Sequence, residues 1–250
     1  MTTRSTQKMS KYLPTDQRPG IIYHGDCNHL LAELPDGCID LCLTDPPYGI
    51  NFKSKVKRVA KFKRPGFRKI ANDKTPYTVW LADLYRVMAP GGRLICFYRW
   101  DVQEQFAEAI RAAGFKLKDQ LIWDKMAHGT GDLKGGFGSQ HELMFYAVKG
   151  RYTWKGKRPK TVFRHMKVNS QNLTHPNEKP LALLDDLIGC CSTPGETVGD
   201  LFGGSYKTLQ AALLMGRKCV TSELGDVEHQ NGLARLQKTN LQTRIQLISA

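Results

Sequence analysis

Two kinds of apolar pattern take turns along the chain. Residues 38–44 read CIDLCLT, nearly all apolar, as does a strand buried on both faces. TPYTVWLADLYRVMAPGG (75–92) instead sets Val79, Leu81, Leu84, Val87 and Met88 at helical spacing before a Pro-Gly-Gly stop. The same reading predicts a strand near 20–25, a helix near 27–34 and a strand in RLICFYRW (93–100). DVQEQFAEAIRAAG is a predicted helix with Asp101 as its N-cap and Gly114 as its close. FKLKDQLIWDK and HELMFYAVKG are predicted strands joined by a Gly-rich connection, 128–140. PLALLDDLIGCC is a helix, and ETVGDLFGGSYKTLQAALLMGRKCVTSEL reads strand, glycine turn, helix, strand. Strands alternating with helices predict an α/β domain with a largely parallel sheet covered on both faces. It spans residues 20–235, between a flexible leader (1–19) and a C-terminal tail (236–250).

Composition narrows the classes. No run of about 18 apolar residues exists, so no membrane-spanning helix is expected, and the N-terminus lacks the apolar core of a signal peptide. The seven cysteines form no CxxC pair and no cluster with histidine, which points to reduced thiols in the cytoplasm, not to zinc or disulfides. The net charge of +14 is concentrated. Residues 53–69 hold nine Lys/Arg and 149–167 hold eight, with no acid in either window. Phe, Tyr and Trp are interleaved with those bases, as a polyanion with stackable bases requires. Solvated loops are the plainer alternative. Both windows are expected as insertions at the working edge of the sheet, facing nucleic acid.

Two turns carry candidate chemistry. In GDLFGGSYK, Gly203, Gly204 and Ser205 follow a strand and open a helix, a turn that lets a ligand approach the backbone. Glu223 lies 20 residues beyond Gly203, the offset at which a βαβ unit sets an acid on ribose hydroxyls. This predicts a nucleoside-type cofactor; a helix-packing turn is the alternative. The second turn is DPPY (Asp45, Pro46, Pro47, Tyr48), a stiff corner at a strand's carboxyl end. The Asp45 carboxylate and the Pro46 carbonyl offer two acceptors to an amino group, and the Tyr48 ring can stack on the heterocycle that bears it. Such bonds stabilise charge developing on a poorly nucleophilic amine during attack.

These residues resemble the S-adenosylmethionine-dependent amino-methyltransferases of DNA, over most of 20–235. TDPPYG (44–49) is similar to the family's amino-group motif, and DLFGGSYK (200–207) to its cofactor motif D-P-F-x-G-S-G-T. HPNEKP (175–180) resembles H-P-T-Q-K-P, and GDCNHLL the segment whose acid lies near the cofactor's adenine. The motif order is that of the permuted β group. The resemblance implies a Rossmann-like methyltransferase fold with a mostly parallel seven-stranded sheet and helices on both faces. It implies S-adenosylmethionine as cofactor, with Asp26 and Cys27 near its adenine, Glu223 on its ribose and Asp200 and Ser205 beside its methionine. Lys179 would take the methionine carboxylate and Phe202 would pack against the cofactor. The implied substrate is DNA, with the target base flipped out of the duplex; a homodimer is compatible with it, and the host compartment is a bacterial cytoplasm. This sequence departs from the family at Tyr206 and Lys207, where Gly-Thr is usual.

The resulting expectation is methyl transfer to adenine N6, towards which an aspartate before PPY leans. Transfer to cytosine N4, to RNA, or a catalytically silent nucleic-acid-binding role are the competing readings. No metal site is expected, and His175 reads as a loop residue, not a catalyst.

Overall fold

The computed structural model describes residues 11–49, 74–129, 134–154, 156–168 and 178–250. The basic window 53–69 and His175 of HPNEKP lie outside them. The chain runs β1 (Gly20–His24), α1 (Cys27–Glu33), β2 (Ile39–Thr44), α2 (Leu81–Val87), β3 (Met88–Tyr98), α3 (Gln103–Ala112), β4 (Lys116–Asp124) and β5 (His141–Val148). There follow β6 (Val162–Arg164), α4 (Leu181–Cys191), β7 (Thr197–Asp200), α5 (Lys207–Leu214), β8 (Lys218–Glu223), α6 (Asp226–Lys238) and β9 (Ile245–Ser249). The strands form one sheet in the order β6-β4-β5-β3-β2-β7-β8-β1-β9. Every pairing is parallel except the two made by β5, which runs against β3 and β4.

The α/β architecture and the predicted elements agree with this, but the sheet has nine strands where seven were expected. The additions are its two edges. β6 is three residues long, too short for an alternating pattern to register, and lies inside the second basic window. β9 falls in the expected tail: Ile245–Ser249 pair in register with Gly20–His24, so this end of the chain is part of the sheet. The expected leader is likewise held from residue 11 on, with Tyr12 edge-on to Tyr23 at 5.9 Å and Pro19 accepting from the Cys219 N–H at 2.7 Å.

A parallel sheet needs cover on both faces, and two apolar layers supply it. α1, α2 and α3 close one face over Leu30, Leu84, Phe106 and Ile110; α4 and α5 close the other over Leu184, Ile188, Leu209 and Leu213. α3 is amphipathic, burying Phe106, Ala107 and Ile110. Its start differs from expectation: Asp101 is not the N-cap but pairs with Arg99, and a 3₁₀ turn, Trp100–Val102, leads into the helix.

The second basic window is also placed differently. Because β5 is antiparallel, Lys149 leaves it at the edge opposite the β2 carboxyl end. There its ammonium donates to the carbonyls of Tyr85 (2.7 Å), Arg86 (3.2 Å) and Met88 (2.8 Å), closing the last turn of α2. Among the described residues of the window, those from Arg164, the last residue of β6, onward reach the edge where β2 ends. Among the described residues no helix is long and apolar enough to cross a membrane.

Candidate active site

The strand order brings the candidate residues to one edge. β2, β7, β8 and β1 are successive neighbours running in parallel, so Asp45, Asp200, Glu223 and Asp26 all follow or close their carboxyl ends. Open α/β sheets bind ligands at that edge.

At the end of β2 the DPPY corner is tied down on every side. The Tyr48 hydroxyl bonds Asp45 Oδ1, and its ring lies edge-on to Phe106 at 6.4 Å. Burial, then the Asp45 charge, pushes the Tyr48 phenol far up, so it stays a neutral donor. Tyr77 N–H donates to the Pro47 carbonyl at 3.1 Å. Among the described residues none donates to the Pro46 carbonyl. Gly49 closes the corner at φ +80°, and a Cβ there would lie 2.4–2.7 Å from the backbone of Thr75 and Pro76. Only glycine fits that turn.

Asp45 Oδ2 accepts from Lys179 Nζ at 2.7 Å, and the same ammonium donates to Glu142 Oε2 at 2.9 Å. Burial alone would pull the Lys179 ammonium down, but the carboxylates of Asp45 and Glu142 outweigh it and hold the group above its usual range. Lys179 thus faces the DPPY corner, and its expected pairing with the methionine carboxylate of the cofactor stays an expectation of the family resemblance.

The glycine turn lies next door. Thr44, the last residue of β2, donates its hydroxyl to Asp200 Oδ1 at 3.0 Å and accepts from the Leu201 N–H at 3.2 Å, joining the two candidate sites directly. Burial pushes the Asp200 carboxyl up to about 6, against the hydrogen bonds from Thr208, Thr44 and Phe202 N–H. An acid raised from 3.8 binds its proton more tightly folded than unfolded. Its contribution to stability is therefore full below about pH 4 and is lost as pH rises through 6. Asp200→Asn should flatten that slope, removing about 3 kcal/mol of the stability change between pH 4 and 7, as read from denaturant midpoints across that range.

Gly203 N–H donates to the Ser222 carbonyl at 2.7 Å, and Gly204 N–H to Glu223 Oε2 at 2.7 Å. Glu223 Oε1 accepts from Gly225 N–H at 2.6 Å, while burial raises its carboxyl. Phe202 stands edge-on to Trp80 (5.5 Å) and Tyr77 (6.1 Å), and Ser205 is buried. Asp26 caps α1, accepting from Asn28 N–H at 2.8 Å, and Asn28 in turn donates to the Tyr77 hydroxyl at 2.6 Å. Cys27, at the start of α1, is buried in the core.

The two departures from the family have a physical account. Tyr206 sits in the left-handed region (φ +57°) and is fully buried, its ring packed between Gly203 of the glycine turn, where a Cβ would come within 2.9 Å of it, and the face of α6. Its hydroxyl meets His229 Nδ1 at 2.5 Å, and its ring fills the space over Gly232, where a Cβ would come within 2.3 Å. Lys207 pairs with Glu178 of HPNEKP at 2.5 Å, and Arg235 holds the other Glu178 oxygen at 2.8 Å. Glu178 stands where the family motif carries glutamine, and its carboxylate is the partner of Lys207. Glu142, Glu178 and His229 escaped the sequence reading. A Glu preceding Lys in HPNEKP was the single visible hint; the others become neighbours only through the fold.

The residues fit an adenosine-bearing cofactor: a glycine turn with Gly204 at φ +51° and open space beyond its Cα, a buried acid at the end of β7 and a half-buried one at the end of β8, and an aromatic cluster beside them. Among the described residues no group of acids, cysteines and histidines is arranged to hold a metal.

Comparison with known proteins places the chain. Residues 39–231 match the model of the DNA methylase family. YubD of Escherichia coli (strain K12), which is named as a methylase, is 33% identical over 217 residues, covering 85% of this chain and 88% of its own. The DNA adenine methyltransferase YhdJ of the same strain is 26% identical over 255 residues, covering 86% and 82%. The crystal structure of the M1.HpyAVI–SAM complex superposes with a TM-score of 0.66 at 24% identity, over 86% of this chain and all of that one, a likeness of fold. A strand ending in DPPY, an acid-bounded glycine turn on the neighbouring strand and a family match over both identify the chain as a member of the DNA methylase family.

Proposed function

We propose that this DNA methylase transfers a methyl group from S-adenosylmethionine to the exocyclic N6 amine of adenine in double-stranded DNA, with the target base flipped out. The observation that carries this reading is the pair of acceptors at the β2 end, the Asp45 carboxylate and the Pro46 carbonyl, joined through Thr44 to Asp200. Bound at the glycine turn, the cofactor supplies an electrophilic sulfonium methyl. Glu223 would take the ribose hydroxyls, Asp26 and the backbone at Cys27 the adenine, Phe202 its apolar face, and Asp200 and Ser205 the methionine. Asp45 and Pro46 accept the two amine hydrogens, which favours a pyramidal nitrogen and aims its lone pair at the methyl. Tyr48 stacks on the base, worth about 1–3 kcal/mol, and Asp45 would take the proton released. The name of YhdJ and the aspartate before PPY favour adenine over cytosine.

The reading is tested by incubating the protein with S-adenosylmethionine and unmethylated plasmid, digesting to nucleosides and analysing by mass spectrometry. N6-methyldeoxyadenosine is expected. N4-methyldeoxycytidine would keep the mechanism and replace the base, and no methylated nucleoside would overturn the enzyme reading.

The DNA-facing surface is the edge at which β2, β4 and β6 end. Arg164→Ala with Lys167→Ala should lower the slope of log K against log salt by about two, in filter-binding titrations. Lys157→Ala with Arg158→Ala, earlier in the same basic window, should leave the slope unchanged.

A further inference from the structure

Four charged side chains at the DPPY corner form an alternating chain, Asp45–Lys179–Glu142–Lys125. Its links are Lys179 Nζ to Asp45 Oδ2 at 2.7 Å, Lys179 Nζ to Glu142 Oε2 at 2.9 Å and Lys125 Nζ to Glu142 Oε1 at 2.9 Å. The Lys179 ammonium also sits 4.6 Å from the Phe97 ring centre and is 11% exposed. It is therefore held from three sides, by two carboxylates and an aromatic face, and not merely drawn to Asp45. Glu142 reaches this point because β5 is antiparallel, which brings the start of that strand, and its second residue, to the edge where β2 ends.

We propose, building on the methyl-transfer reading above, that Glu142 is a positioning residue of the amine site, acting through Lys179. Asp45 is gripped at both oxygens, by Tyr48 on Oδ1 and Lys179 on Oδ2. A carboxylate oxygen accepts two hydrogen bonds, so each keeps one position for a target amine, in a direction fixed by the bond already made. A lysine ammonium on a flexible stem is a poor fixture by itself. Shared with Glu142, which Lys125 fixes in turn, it becomes a rigid one. Glu142 thus sets the direction in which Asp45 receives the amine, without touching base or cofactor. Burial would push the Glu142 carboxyl up, but Lys179 and Lys125 together hold it below its usual range, as such a shared anchor requires.

The test is a double-mutant cycle on kcat with Glu142→Gln, Lys179→Met and the pair. Glu142→Gln is expected to lower kcat about 10–100-fold, the scale of a misplaced catalytic contact, with dissociation constants for DNA and S-adenosylmethionine within about twofold of the parent. In the Lys179→Met background the same substitution should cost nothing further, since its effect travels through the lysine. Independent, multiplying losses, an unchanged kcat, or a loss confined to binding would each overturn the proposal. The side-chain ¹⁵N signal of Lys179 provides a readout free of activity: Glu142→Gln should shift or broaden it in the cofactor-free protein, and an unmoved signal overturns the pairing. A parent protein without methyl transfer would sink the enzyme reading instead, and the lysine signal would still decide whether Glu142 holds Lys179.

Discussion

Asp45→Ala should lower methyl transfer on the order of 10³-fold while leaving DNA affinity nearly unchanged. In the proposed mechanism the carboxylate is half of the acceptor pair for the amine, and the Pro46 carbonyl alone would take only one of the two hydrogens. Its loss also strips Tyr48 of its hydroxyl partner and leaves Lys179 to Glu142 alone. Binding is governed by phosphate contacts spread over a wider surface, so the substitution separates chemistry from association. Single-turnover transfer of labelled methyl, set beside fluorescence anisotropy with the same duplex, gives the two quantities. Asp45→Asn keeps the shape and one acceptor but offers N–H groups towards Lys179 or Tyr48, and should fall nearly as far. Transfer within tenfold of the parent by the alanine variant would remove Asp45 from the mechanism.

Glu178→Ala should cost about 3–5 kcal/mol of stability, the scale at which removing one partner strands buried charge. The Glu178 side chain is 1% exposed and receives both Lys207 and Arg235, themselves only 14% and 16% exposed. Without the glutamate, Lys207 and Arg235 lose the counter-charge they share at a site with little water to screen them. For a domain of this size the loss corresponds to a fall in Tm on the order of 10 °C. Glu178→Gln preserves the packing and deletes the charge, so it should recover the cavity part of the loss but not the electrostatic part. Scanning calorimetry of both variants separates the two, and a Tm within 2 °C of the parent for the alanine form would show that the cluster carries no net stability. The cluster also ties the residue before Lys179 to α5 and α6, so the charge at the amine site is anchored on the far side of the glycine turn.

The parts legible in the sequence were those written in local patterns. CIDLCLT declared a strand buried on both faces, and DPPY at its end declared a corner, because two prolines restrict the backbone whatever surrounds them. The glycine turn and Glu223 were found by an offset along the chain that one βαβ unit fixes. What stayed hidden was set by pairing between distant segments. Nothing in HELMFYAV states that it runs antiparallel, so neither the arrival of Glu142 at the DPPY corner nor the departure of Lys149 from the opposite edge was visible. The basic window 149–167 read as one functional surface because its charge is uniform, yet its first lysine closes a helix. Tyr206 looked like an obstruction in the cofactor turn. Its burial against His229 depends on Gly232, 26 positions later, an allowance that only the packed structure reveals.

The reversal of β5 has a consequence for how such an enzyme changes over generations. The β4–β5 connection leaves at Asp124 and returns at His141, which are register partners, so both feet of the hairpin stand on the edge where β2 ends, the one proposed to meet DNA. Lengthening it disturbs no strand and no helix, and each doubling of such a loop costs only about 0.6 kcal/mol in closure entropy. New recognition elements can therefore be grafted onto that hairpin while the chemistry a few residues away is inherited intact.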